Sequence, residues 1–146
     1  MALIILLGIL ACVAWVGLIV YARTMDGEGS APSVAALRRA NPPYNLAEVL
    51  PPESSDIVYY WRLHDAYQIV NFTVDEPSFV EWARGRGWSV EVIAGYPFQL
   101  VRVCEPGGWT TAAVSDGYCA GGPERHGWWG RAVYDRRTAR AYYERE

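Results

Sequence analysis

The chain has 146 residues, a net charge of −3 and thirteen basic residues, every one of them Arg. That length sets one domain as the prior. The mild acidity and the lack of a basic run exclude nucleic acid as a partner, and no phosphate-binding Gly loop, dinucleotide fingerprint or Gly-x-Ser-x-Gly motif marks a cofactor or a hydrolase.

The opening run from Ala2 to Ala22 carries no charge and ends at Arg23. At about 1.5 Å per residue, its 21 residues span roughly 31 Å. That matches a hydrocarbon core, so the sequence predicts a transmembrane anchor over residues 1–23 and the lipid bilayer as a partner. A cleaved signal peptide would begin with a basic residue, and none precedes the run. Ile9-Leu10-Ala11-Cys12 loosely matches a lipidation site, but the apolar run continues past Cys12. The expected location is the inner membrane, single-pass. Arg23, Arg38 and Arg39 after the span favour a cytoplasmic domain, whereas the cysteines lean towards an extracytoplasmic one.

Residues 24–56 read as a Pro/Gly-rich linker. Within it, Val34 to Ala40 predicts two turns of helix, with Ser33 as N-cap and Asn41-Pro42-Pro43 as the stop.

Residues 57–146 read as the folded domain. Tyr59, Trp61 and Leu63 alternate with Val58, Tyr60 and Arg62, and Gln68, Val70, Phe72 and Val74 alternate with Tyr67, Ile69, Asn71 and Thr73. With His64-Asp65-Ala66 between them, they predict an antiparallel hairpin. Asp75-Glu76-Pro77-Ser78 opens a helix, Phe79, Trp82 and Ala83 form its apolar face, and Gly85 and Gly87 stop it. Trp88–Ile93 and Phe98–Cys104 read as strands. Glu105-Pro106-Gly107-Gly108 and Gly121-Gly122-Pro123 read as loops. Trp128–Tyr134 and Ala139–Tyr143 read as a closing hairpin. The expected fold is α+β: one N-terminal transmembrane helix, then a small antiparallel sheet with one short covering helix, leaving the other face to aromatics and Arg.

Ser54-Ser55-Asp56-Ile57-Val58-Tyr59-Tyr60, Phe79-Val80-Glu81-Trp82-Ala83, Gly87-Trp88, Asp116-Gly117-Tyr118 and Ala132-Val133-Tyr134-Asp135 followed by Ala141-Tyr142-Tyr143 carry a resemblance. In that order they resemble a loose group of small, uncharacterised, membrane- or lipid-anchored bacterial proteins, many of them extracytoplasmic, over residues 54–143. The resemblance implies a domain type and no activity. Such sequences have Gly in the last hairpin turn where this chain has Thr138-Ala139, which leaves the turn type open.

Cys104 and Cys119 are separated by a Gly-rich loop and a Thr-rich segment. A disulfide between them, in an oxidising compartment, and two buried free thiols are both open. Cys104, Cys119, His64 and His126 match no zinc spacing. His64 adjoins Asp65 in sequence, so the two make a poor base and orienting group, and each known catalytic constellation fails. The remaining signal is aromatic. Six of the seven Trp and nine of the ten Tyr follow residue 40, more than a small domain readily buries. Arg and Trp dominate the energetics of protein contacts, so Trp109, Arg125, Trp128, Trp129 and Arg131 are the candidate partner contacts. No catalytic, cofactor-binding or metal residue is expected. The function expected is a non-catalytic, single-span accessory subunit of a larger membrane complex, respiratory or photosynthetic, contacting other membrane protein subunits. The alternatives are a stand-alone anchored binding domain for a peptide or envelope component, and an unrecognised hydrolase.

Overall fold

The computed structural model of the chain describes residues 2–23, 26–62, 66–124 and 127–146 and, within the first helix, the side chains of residues 8, 11–18, 20 and 21. The apolar run forms helix α1 (Ala2–Arg23), with Val13, Trp15, Val16, Leu18, Val20 and Tyr21 exposed. Among the described residues, however, no helix is long and apolar enough to cross a membrane. The transmembrane anchor, the single-pass reading and the inner-membrane location are corrected on that finding.

The fold class is corrected as well. The body is one seven-stranded antiparallel sheet in the order β1-β2-β3-β7-β6-β5-β4. Its strands are β1 (Gly27–Ser33), β2 (Ser55–Arg62), β3 (Tyr67–Thr73), β4 (Ser89–Glu105), β5 (Gly108–Pro123), β6 (Trp129–Asp135) and β7 (Arg140–Arg145). Residues 27–33, read from sequence as tether, are the edge strand β1, paired with β2 from Gly27↔Trp61 to Ser33↔Ser55. Small residues are needed there. A Cβ on Gly27 would lie 2.1 Å from the Trp61 ring, and one on Gly29 2.5 Å from the Tyr59 hydroxyl. Each aromatic lies across the backbone of the neighbouring strand.

Three helices cover one face of the sheet. In α2 (Val34–Ala40), Ser33 caps the Ala36 N–H, and Val34 and Leu37 point inward. A single 3-10 turn (Pro43–Asn45) leads to α3 (Leu46–Val49), which buries Leu46 and Ala47. In α4 (Glu76–Gly85), the Asp75 carboxylate accepts the Ser78 N–H at 2.9 Å. Phe79 stacks on Tyr134 at 5.2 Å, and Trp82 meets Phe72 and Tyr143 edge-on. Ile57, Val70, Phe72, Ala132, Ala141 and Tyr143 supply the sheet side of this core, at 0–1% exposure. With helices on one side, β3 is buried nearly throughout.

The opposite face is covered by the sheet's own chain. The inner half of the β4–β5 hairpin, Ser89–Ala94 against Asp116–Gly121, belongs to the sheet. Register then shifts between Ala94 and Gln99, and the outer half, Gln99–Glu105 against Gly108–Val114, folds back as an arm. Val101 and Val114 of the arm, at 4% and 2% exposure, bury against Ile93 and Val133 of the sheet in a second, smaller core. The arm reaches far across the sheet: the Gly107 N–H at its tip donates to Glu28 Oε2 of β1 at 2.7 Å. Gly117 allows the fold-back. It has φ +151, and a Cβ there would sit 1.8 Å from the Tyr134 carbonyl oxygen. The last hairpin turn resolves with Ala139 at φ 53, the left-handed position where a glycine is the usual residue.

Candidate functional site

The seam between the arm and the sheet gathers the polar side chains that sequence reasoning left unplaced. β6, β7 and β3 set Arg131, Glu144 and Ile69 in one cross-strand row, so their side chains emerge on the same face. The arm lowers Gln99 and Arg102 onto that row. Glu144, whose side chain is 16% exposed, bridges two guanidinium groups. Its Oε2 accepts from Arg102 at 2.9 Å and its Oε1 from Arg131 at 2.9 Å. Arg131 also donates to Gln99 Oε1 at 2.8 Å, and Glu146 lies 3.6 Å from Arg102.

Aromatic rings frame this charge relay. Arg102 sits over the Trp109 ring at 5.0 Å and the Tyr67 ring at 5.2 Å, and it donates to the Tyr67 hydroxyl. Arg62 lies over the same Tyr67 ring at 5.1 Å. Burial pushes the Tyr67 hydroxyl up to about 12, against the opposing positive charge of Arg102 and with the help of the negative charge of Glu144. Trp129 pairs with Glu146 through both backbone bonds, which places it on the seam face. Trp109 and Trp129 stay 44% and 60% exposed on either side of the network.

The five expected contacts therefore divide. Trp109, Trp129 and Arg131 converge on the seam. Trp128 is half-buried on the helix-covered side, where Arg145 lies 5.4 Å above its ring. Arg125 lies outside the described residues, as do His64, Asp65 and His126. Sequence reading missed Gln99, Arg102, Glu144 and Tyr67. The signal was present at the C-terminal end, where Tyr142, Glu144 and Glu146 alternate with Tyr143 and Arg145, but the arm that lowers Arg102 onto Glu144 was not readable.

A second ion network has a structural role. Glu124, whose side chain is 4% exposed, accepts from Arg86 at 2.6 Å and from the Tyr143 hydroxyl at 2.9 Å, with Arg145 at 3.7 Å. Arg86 lies over both Trp82 and Trp88. It also donates to the Val49 carbonyl, tying α3 and α4 to the sheet.

Both Cys104 and Cys119 are free thiols in this structure. Cys119, Val133, Tyr142 and Asn71 form one cross-strand row. Three strand spacings put Asn71 about 14 Å from Cys119. Cys104 lies over Asn71, donating its N–H to Asn71 Oδ1 at 3.2 Å, and a disulfide needs the two Cα atoms within about 7 Å. Burial pushes the Cys104 thiol up to about 12, so it stays protonated at neutral pH and is a poor nucleophile. Among the described residues, no group of His, Cys, Asp and Glu is placed to hold a metal ion. The cavity beneath the arm, lined by Val101, Arg102, Arg131, Val133, Tyr142, Tyr143 and Glu144, holds about 10 Å³, room for a single water.

Comparison with known proteins finds no matching family model, curated protein or solved structure.

Proposed function

We propose that the chain is a non-catalytic recognition module, an accessory subunit that docks on a partner protein through the seam. Trp109 and Trp129 act as its anchors, and the paired Arg102 and Arg131 act as its polar contacts. The observation that carries this reading is the exposure of two tryptophans, at 44% and 60%, beside a guanidinium–carboxylate network that is already ordered. Trp and Arg supply a large share of contact energy where they become desolvated. Side chains already held in place lose little entropy on binding. The seam offers a substrate neither a cavity nor an activated nucleophile, which favours binding over catalysis. The net charge of −3 and the pairing of both seam arginines with Glu144 favour a protein over a nucleic acid.

The test is native complex sizing of the full chain, with Trp109→Ala and Trp129→Ala introduced together. The wild type is expected to migrate with its partner, and the variant without it, as assemblies of the 16.3 kDa chain alone. Trp129 is mostly exposed, so Trp129→Ala alone should shift folding stability by no more than about 0.5 kcal/mol. A variant that folds and still migrates with the partner refutes the seam as the docking site.

A further inference from the structure

The two edges of the sheet are built differently. β1 is short, carries Pro32 and is tied to the arm through Glu28. Proline removes a donor and blunts an edge against further pairing. β4, at the opposite edge, has no such device along Ser89–Ala94. That segment pairs with β5 in unbroken register, contains no proline, lysine or arginine, and has Glu91 as its one charge. Among the described residues its other side has no strand neighbour in the sheet. Along the same strand, Val92, Tyr96, Phe98 and Leu100 are 66%, 88%, 46% and 55% exposed. A long apolar edge of this kind is a template for another strand.

We infer that the Ser89–Ala94 edge of β4 pairs with the same edge of a second copy of this chain, making a two-fold dimer in which two sheets become one. The area argues for it. An aromatic side chain presents about 150–250 Å², so Tyr96 and Phe98 alone leave on the order of 250 Å² uncovered. Val92 and Leu100 add roughly 200 Å², so the two copies together would cover on the order of 1,000 Å² with the strand backbone, the lower bound of a specific interface. Charge argues for a copy of the chain rather than a different partner. An edge whose one charge is Glu91 offers little for a charged partner to recognise, whereas a two-fold axis sets the apolar patch against itself. Gly95 and Pro97 end the pairing segment and limit register slip. The Trp109–Trp129 seam takes no part, so the dimer leaves it open.

The test uses the full chain, wild type and Val92→Lys, in sedimentation across a concentration series, with amide exchange read at residues 89–94. Val92 is exposed, so the variant should fold with an unchanged circular-dichroism spectrum. Any association that α1 drives is common to both proteins. The wild type should dimerise, with 89–94 protected when concentrated and unprotected on dilution. Val92→Lys should dimerise at least about tenfold more weakly, because it brings two ammonium groups together at the axis. Equal association of the two proteins, a wild type that stays monomeric, or protection of 89–94 that appears only when a different protein is bound would each overturn the inference.

Discussion

The arm should open as a unit separate from the rest of the sheet. Its apolar hold consists of Val101 and Val114 against Ile93 and Val133, whereas the helix-covered face buries a far larger cluster. Replacing either arm valine by alanine removes two carbons, each worth about 0.8 kcal/mol when buried. One substitution should therefore cost about 1.6 kcal/mol, and both together about 3 kcal/mol. In amide exchange, Val114→Ala should speed the opening of residues 99–114 about 15-fold, and the double variant about 200-fold. The amides of β3 and β7, protected by the larger core, should change far less. If β3 and β7 lose protection in step with the arm, the arm is part of a single cooperative unit and this reasoning is refuted.

Other perturbations have outcomes of stated direction. Gly117→Ala should destabilise the protein by about 2–4 kcal/mol in urea unfolding, because the new methyl meets the Tyr134 carbonyl at a backbone angle that disfavours any side chain. Glu124→Ala should cost about 3–5 kcal/mol, since it leaves Arg86 and Arg145 without their shared carboxylate; a drop below 1 kcal/mol, measured the same way, would contradict a buried network. Tyr67 has a folded pKa of about 12 against an ordinary value of 10.0, so the folded state holds its proton longer than the unfolded chain. Its contribution is complete below about pH 10 and lost as pH rises towards about 12. Tyr67→Phe should flatten that decline in unfolding free energy, and an unchanged slope would remove Tyr67 as its source.

Much of the local structure is legible in the sequence. Ser33 before Val34-Ala35-Ala36-Leu37, and Asp75-Glu76-Pro77-Ser78 before Phe79, mark helices that form where predicted, because capping is encoded within four residues. The β2–β3 and β6–β7 hairpins follow from alternation and proximity. The strands that escape notice are those rich in small residues. β1 reads as tether and the last three residues of β5, Gly121-Gly122-Pro123, as loop, because Gly27, Gly29, Gly121 and Gly122 carry no hydrophobic signal. They are small so that Trp61, Tyr59, Trp88 and the adjoining backbone can pass close by. The seam escapes for a different reason. Glu144 faces Arg131 through adjacent strands, but it meets Arg102 only because a hairpin bends over the sheet. Nothing local to Arg102 announces that bend apart from Gly95 and the Pro97 that follows it. The candidate contacts Trp109, Trp129 and Arg131 were readable by residue type; what joins them was not.

The place of β7 has a consequence for how the molecule is made. Although last in chain order, it lies between β3 and β6 and bonds to both. A nascent chain that has emerged through β6 holds two separate ribbons, β1-β2-β3 and β6-β5-β4, with the flanks of β3 and β6 naked and no strand joining them. The full sheet thus assembles only after β7 leaves the ribosome, and until then those flanks invite the wrong neighbours. A proteolytic nick in Asp135–Ala139 should be correspondingly damaging, because it would free the keystone strand rather than a peripheral one.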